Sequence, residues 1–461
     1  MADKFLKIAY IGGGSRAWAR KLMCDLAISE DITGEVRLYD IDKGAANDNR
    51  AIGNKISEMA EGGKKWNYVS VDNIDNALKG CDAVIISVMP GTLDEMASDV
   101  DVPMSYGIYQ PVGDTVGAGG YLRAMRCVPM FRFFAAKIRE NCPSAWVINY
   151  TNPMTICTRT LYEEFPDIKA FGCCHEVFGT QELLAAALKD VCGIEAESRD
   201  EIKVDVCGIN HFTWITKAYY KDIDLFEVFK KFSDKYAGKG FCANGKKEAW
   251  LSNVFDCGNC IKFELFRRYG VIPAAGDRHL SEFMPQKWFL ESPETALEKW
   301  KFALTPVSWR RRDLKERLQE TKDILSGKKI VKLGKSGEEG VKQLKALFGS
   351  DGFVTNINMP NKGQMKGYPT GAIVETNGLF GLNGITPLLA NPLPDEVNSL
   401  VLRHVYNQEA FIKAAFRKSI DKVFAVYVND PQVSSLDFSA AREMFDKMVA
   451  NTEKYLKGYW F

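Results

Sequence analysis

The stretch "FLKIAYIGGGSRAWARKLMCDLA", residues 5–27, limits the fold more than any other part of the chain. An apolar, β-branched and aromatic run turns through Gly12, Gly13 and Gly14 and continues at helical period. The spacing Gly12-x-Gly14-x-x-Ala17 matches the dinucleotide fingerprint, with alanine in the last small-residue slot. Gly12 permits a tight turn, Gly14 lets the backbone approach a pyrophosphate, and Ala17 lets the helix pack on the strand. The helix N-terminus offers free N–H groups and a partial positive charge to the phosphates. A second run, "EVRLYDID", ends in Asp40, where an acid takes ribose hydroxyls and disfavours a 2′-phosphate. The reading is NAD held by Gly12, Gly13, Gly14, Ser15 and Asp40. A glycine turn in an unrelated α/β fold is the alternative.

Further apolar runs, "CDAVIISV", "AWVINY" and "IKAFGC", alternate with helical patterns such as "YLRAMRCVPMFRFFAAKIREN". Continuous apolar strands separated by helices predict a parallel sheet covered on both faces. Ligands of such sheets collect at the carboxyl ends of the strands. That rule selects residues 87–91, 149–154 and 172–177 as the rim of one crevice. The texture changes near residue 195. The fold class read here is α/β: a Rossmann-type doubly wound domain over 1–195, then an α+β catalytic domain over 196–461. The first half resembles the sheet of lactate and malate dehydrogenases.

In the second half, "EIKVDVCGINHFTWITKAYY" reads as two strands joined around His211. Helical patterns follow over 225–236, 246–269, 285–303, 393–422 and 437–457. The charged, glycine-punctuated stretch 325–345 reads as an exposed loop. A net charge of +1 gives no electrostatic reason to expect nucleic acid or an anionic membrane. The start of the chain lacks the pattern of a signal peptide, and no apolar run approaches a membrane span. The twelve cysteines show no disulfide-framework spacing, which points to free thiols in the cytoplasm.

Polar residues gather in a few places. The chain has four histidines, and His175 follows two adjacent cysteines in "FGCCHEVFG". "VGDTVGAGG" places Asp114 before a glycine-rich helix start, and "PAAGDRHLSEF" crowds Asp277, Arg278, His279 and Glu282. Each has a bland reading: His211 as a core histidine, Asp277 as a helix cap, Cys173 as a small apolar residue, "CGNC" at 257–260 as structural thiols.

Taken together, "KIAYIGGGS", "VGDTVGAGG", "INYTNPM", "GCCHEVFGTQ", "GINHFTWIT" and "GDRHLSEF" resemble glycoside hydrolase family 4 over nearly the whole chain. "CHEV", "AAGDRH" and "NMPNKGQ" are most similar to its α-galacturonidase members. The resemblance implies an NAD- and Mn²⁺-dependent enzyme acting on a small sugar substrate, an oligogalacturonide or other α-uronide. The family is the stated exception to two-carboxylate glycosidases. In it NAD oxidises the sugar's third carbon, a base removes the hydrogen at the second, the aglycone leaves from the first, and water and hydride then return. The family pattern implies Cys174 and His211 as metal ligands and Asn152 on the substrate. It implies His175 as the acid in place of an aspartate, with Glu176 able to share the role. Asp277 is the expected base, Tyr269 the second choice. Asp114 is expected on a sugar hydroxyl or the metal-bound water, and Arg278 on the uronate. Homo-oligomers are the family's habit.

Other family substrates, namely α-glucuronides, α-glucosides and α-galactosides, stay open. A plain NAD-dependent hydroxy-acid dehydrogenase leaves Cys174 and His211 unexplained. A regulatory NAD-binding protein leaves the polar crowding at the strand ends without a use.

Overall fold

The computed structural model describes residues 4–60, 66–349 and 352–461. Its strands are β1 (Lys4–Ile11), β2 (Ile32–Tyr39), β3 (Trp66–Val71), β4 (Ala83–Ile86), β5 (Trp146–Asn149), β6 (Lys169–Gly172), β7 (Ile202–Ile209), β8 (Phe212–Tyr220), β9 (Ile223–Asp224), β10 (Ile272–Pro273), β11 (Phe353–Pro360), β12 (Ile373–Gly381) and β13 (Gly384–Pro387). They form one 13-stranded sheet whose main path runs β10-β8-β7-β12-β11-β6-β5-β4-β1-β2-β3. The stretch from β3 to β6 is parallel throughout, in the order of a doubly wound nucleotide-binding sheet. β4 is buried along its whole length, as a strand covered on both faces should be.

The sheet does not stop at β6. β11 pairs antiparallel with it through Asn358 and Gly172, and β12, β7, β8 and β10 continue the ladder antiparallel. β7 and β8 are joined by a two-residue turn, Asn210 and His211, and His211 takes a left-handed φ of 64°. A non-glycine residue seldom adopts that conformation, so it marks a place where the surroundings hold the backbone.

Several expected helices end early, for local reasons. The pattern over 246–269 yields a short 3-10 turn at Ala249–Leu251 and an α-helix only at Cys260–Tyr269, because Asn259 is left-handed and a Cβ on Gly258 would lie 2.5 Å from Lys301. The 285–303 pattern breaks into Gln286–Phe289 and Pro293–Glu298, where Ser292 caps a helix beginning at proline. The long C-terminal pattern divides at left-handed Lys418 into Asp395–Phe416 and Ile420–Tyr427. Val307–Leu325 forms a helix that the sequence reading did not include. The 325–345 stretch is not simply exposed: it enters the helix Gly340–Phe348, which buries Leu344 and Leu347 against the nucleotide-binding core. Burying one leucine contributes about 2 kcal/mol, enough to seat a short helix.

Among the described residues no helix is long and apolar enough to cross a membrane. The twelve cysteines are free, with Cys260 buried and Cys257 partly so, as structural thiols.

His404 lies in the core with Nε2 donating to the carbonyl of Phe283 at 2.9 Å. Burial lowers its pKa to about 4. The unfolded chain therefore takes up a proton that the folded one refuses, and stability is lost as pH falls from about 6.5 toward 4. Unfolding free energies from urea titrations at pH 7 and pH 5 should differ by roughly 2 kcal/mol more in the wild type than in His404→Gln.

Candidate active site

The three strand-end segments do meet. The backbone N–H of Val88 donates to Thr151 Oγ1, the N–H of Cys173 to the carbonyl of Asn149, and Asn152 Nδ2 to Asp114 Oδ2 at 3.2 Å. Arg123, on the helix Gly117–Asn141, ties the Asn152 carbonyl from behind at 2.9 Å.

The nucleotide loop has the geometry its glycines imply. Gly12 has φ 90°, and a Cβ there would lie 2.0 Å from the carbonyl oxygen of Ser87, so only glycine fits. Asp40 accepts the N–H of Gly14 at 2.8 Å on one oxygen and that of Asp42 at 2.9 Å on the other. It thus holds the loop and keeps lone pairs for a ribose. Ser15 accepts the N–H of Trp18, the first residue of the following helix. The glycine cradle and the acid at the end of β2 fit a dinucleotide.

A polar cluster stands beside this loop. One ligand atom each from Asp114, His211 and His279 lie within 4.8 Å of one another. The His211 and His279 rings overlap with centroids 3.7 Å apart. Thr115 Oγ1 contacts Asp114 Oδ1 at 2.6 Å and His211 Nδ1 at 2.8 Å. The hydroxyl has one proton and gives it to the carboxylate, so His211 Nδ1 carries the hydrogen and Nε2 keeps its lone pair. That tautomer is the one a metal needs. Burial, then the neighbouring His279, lowers the His211 pKa to about 3, so the ring is neutral near pH 7. Burial would raise Asp114, but His279, His211 and Arg123 outweigh it and hold the carboxyl well below its usual range.

Cys174 is buried outside that trio. Its carbonyl accepts Asn356 Nδ2, and burial with the charges of Glu375 and Glu176 pushes its thiol pKa far up. The side chain of Asn210 lies beside the sulfur and opposes this shift. Asn210 is fully buried. The two imidazoles and the carboxylate of the trio form a donor set suited to a borderline divalent metal.

His175 is half exposed, stacked on Trp18 at 5.5 Å, with Nδ1 3.6 Å from Glu338 and Nε2 4.0 Å from Glu176. Glu176 accepts the N–H of Gly276 and lies 3.7 Å from His279 Nε2. Burial opposes its ionisation, yet His279, His175 and His211 bring its pKa down to about 2. Asp277 is fully buried, and its two oxygens accept the N–H groups of Ile261 and Lys262 at 3.0 Å each. It thereby caps the helix Cys260–Tyr269, a different helix from the one that Asp277 itself begins. Burial raises its pKa to about 6 against the pull of Lys262. Tyr269, at the far end of that helix, packs edge-on to Trp214. Arg278 donates to the carbonyl of Pro111 and to Thr305, and its Nε has no partner among the described residues.

His279, Thr115 and Asn210 are the residues that spacing alone did not assign. Adjacency to Asp277 and to His211 was the available signal for two of them. A wide concavity of about 960 Å³ lies elsewhere, between Arg199, Lys342 and β11, and its lining includes Asn356, which donates to the Cys174 carbonyl.

Residues 7–190 match the family 4 glycosyl hydrolase model, and residues 206–433 match the model of that family's C-terminal domain. The α-galacturonidase of Thermoanaerobacterium saccharolyticum is 56% identical over 454 residues, 98% of this chain and 97% of the relative. The α-galacturonidase of Bacillus subtilis is 49% identical over 444 residues, 96% and 97% of the two chains. The solved Bacillus subtilis structure described as glucosidase lplD superposes with a TM-score of 0.91 at 48% identity, covering 97% of this chain and all, 100%, of that one. A 6-phospho-α-glucosidase from gut microorganisms, solved with NAD and Mn²⁺, shares the fold with a TM-score of 0.81 at 18% identity, over 98% and 99%.

The Thr115 hydroxyl should govern cation affinity through the His211 tautomer. Thr115→Val is expected to weaken Mn²⁺ binding about tenfold or more, and Thr115→Ser to retain it, as read from free Mn²⁺ by electron paramagnetic resonance.

Proposed function

The chain belongs to glycosyl hydrolase family 4 and is a glycoside hydrolase, and from that premise we propose that it cleaves α-galacturonides with NAD and a divalent cation, Mn²⁺ in the first instance. The observation that carries the substrate is full-length identity of 45–56% to four α-galacturonidases, against 26% or less to the family's neutral-sugar members. The orphaned Arg278 Nε supports it, since a buried guanidinium with a free donor suits a carboxylate. The proposal extends to a cytoplasmic, self-associating protein. Its support is the family resemblance and twelve unpaired cysteines of the kind that persist in a reducing compartment.

When bound, NAD accepts and returns a hydride at the sugar's third carbon, and the cation polarises the oxygens on the second and third carbons. Gly12, Gly13, Gly14 and Ser15 seat the pyrophosphate, and Asp40 takes the ribose. His211 would hold the cation together with Asp114 and His279, whose ligand atoms lie within 4.8 Å of one another, and the family resemblance adds Cys174 as a further ligand. Asn152, fixed against Asp114, presents its unpartnered Oδ1 to a sugar hydroxyl. His175, at the exposed edge of the crevice between Glu176 and Glu338, delivers a proton to the departing aglycone oxygen. Asp277 takes the proton from the second carbon. Each of its oxygens has a lone pair beyond the amide it accepts, and a pKa near 6 suits a base at neutral pH.

A panel of 4-nitrophenyl α-galacturonide, glucuronide, galactoside and glucoside, assayed with NAD, Mn²⁺ and a thiol reductant, tests the substrate. The galacturonide should be cleaved at least tenfold better than the others, and release from the neutral sugars alone would overturn the reading. Arg278→Lys should raise KM for the galacturonide. Asp277→Asn separates base from cap. Loss of kcat by about a thousandfold, together with loss of deuterium uptake at the second carbon from heavy water, identifies a base. A lowered melting temperature with kcat retained identifies a helix cap only.

A further inference from the structure

Burying an arginine without an anion is costly, and this chain usually avoids it. Arg126 is paired with Asp99, Arg199 with Glu339 and Arg159 with Glu409. Three guanidiniums near Asp114 break that habit. Arg123 and Arg278 are 9% and 8% exposed, and neither has a carboxylate within 4.0 Å among the described residues. Arg310, in the first turn of the helix Val307–Leu325, is largely buried, and its guanidinium donates to nothing among the described residues. It lies within electrostatic reach of Asp114, Arg278 and Arg123.

The surroundings of Arg310 differ from those of Arg278. Arg278 is anchored inward, on the carbonyl of Pro111 and the hydroxyl of Thr305, and its guanidinium carbon stands 5.1 Å from the Phe255 ring. Phe255 is half exposed, and its other neighbour is Trp309, edge-on at 4.9 Å. Arg278, Phe255 and Trp309 thus follow one another in contact, and Arg310 comes next to Trp309 in the chain. The N–H of Thr305 donates to the Pro111 carbonyl at 3.2 Å, which ties the start of this helix to the loop carrying Asp114. Aromatic faces flanked by a free guanidinium are what a second acidic sugar ring requires.

We infer that Arg310, with Phe255 and Trp309 beside it, forms a subsite for the carboxylate of the leaving sugar, so that the preferred substrate is a diuronide with one carboxylate on Arg278 and the other on Arg310. This rests on the α-galacturonidase reading and adds the aglycone to it. Arg310 is a specificity residue: it touches the departing ring and none of the reacting atoms.

The test compares digalacturonate with 4-nitrophenyl α-galacturonide, whose aglycone has no carboxylate, in the NAD- and Mn²⁺-loaded wild type, Arg310→Gln and Arg310→Lys. The ratio of kcat/KM for digalacturonate to that for the aryl galacturonide should fall about 30-fold in Arg310→Gln, mainly through KM, the loss expected for one charge-assisted contact. Arg310→Lys should recover part of it. A ratio unchanged in Arg310→Gln overturns the subsite, including the case in which both substrates suffer equally because folding is impaired. A wild type that cleaves the aryl galacturonide but not digalacturonate also overturns the subsite while sparing the activity. A wild type that cleaves neither galacturonide overturns both.

Discussion

The cost of taking ionisable groups out of water governs how this crevice is built. Asp114, Glu176, His211, His279, Arg123 and Arg278 crowd where the three strand-end loops meet, and each is mostly or wholly buried. Such a gathering is tolerable only because the groups bias one another. The imidazoles are neutral, the two carboxylates stay ionised, and the Thr115 hydroxyl sets which ring nitrogen bears hydrogen. The buried thiol of Cys174 is the one group whose resting form is opposite to the one a metal would use. With Cys174 as a ligand, as proposed, cation binding couples to release of a proton from sulfur.

The fold supplies the crowding. Parallel pairing in the β3-to-β6 portion sends every strand's carboxyl end to one edge, so the residues after β4, β5 and β6 arrive together without further design. The antiparallel portion contributes His211 from the turn between β7 and β8. The helix Cys260–Tyr269 and the short helix Asp277–Glu282 bring up His279 and Arg278. Left-handed His211 is held at the tip of its turn by Thr115, a residue of the other half of the chain. One hydroxyl thus aligns groups donated by both parts.

The nucleotide-binding half was legible because its signals are local: apolar runs for buried strands, glycines for the turn, an acid at the next strand end. The second half was less so. Helical patterns over 246–269 and 285–303 carry the right period but are cut by left-handed Asn259 and by the Ser292–Pro293 start, local features that a long amphipathic pattern outvotes. At the site, Asp114, Asn152, Cys174, His175, His211 and Arg278 stood out through their neighbours in sequence. Thr115 did not, since a threonine beside an aspartate has no special signature. Arg310 lies in "WRRRDLKERL", where one arginine turned inward looks like the solvated charges around it. The buried use of Asp277 depends on the first turn of the helix Cys260–Tyr269, with Ile261 sixteen positions earlier, which only the tertiary structure reveals.

The ladder that continues from β6 into β11 also bears on how such a chain could have arisen and how it can be divided. A break in the gene between codons 195 and 196 would leave β6 on one product and β11 on the other, and would bare the pairing groups of Gly172 and Asn358, where the two strands meet. Naked sheet margins of that kind recruit other chains. The two portions are therefore poor candidates for modular shuffling or for reassembly from fragments. Their meeting point, Gly172, is only two residues from Cys174, so any slippage of that seam would be felt at the sulfur.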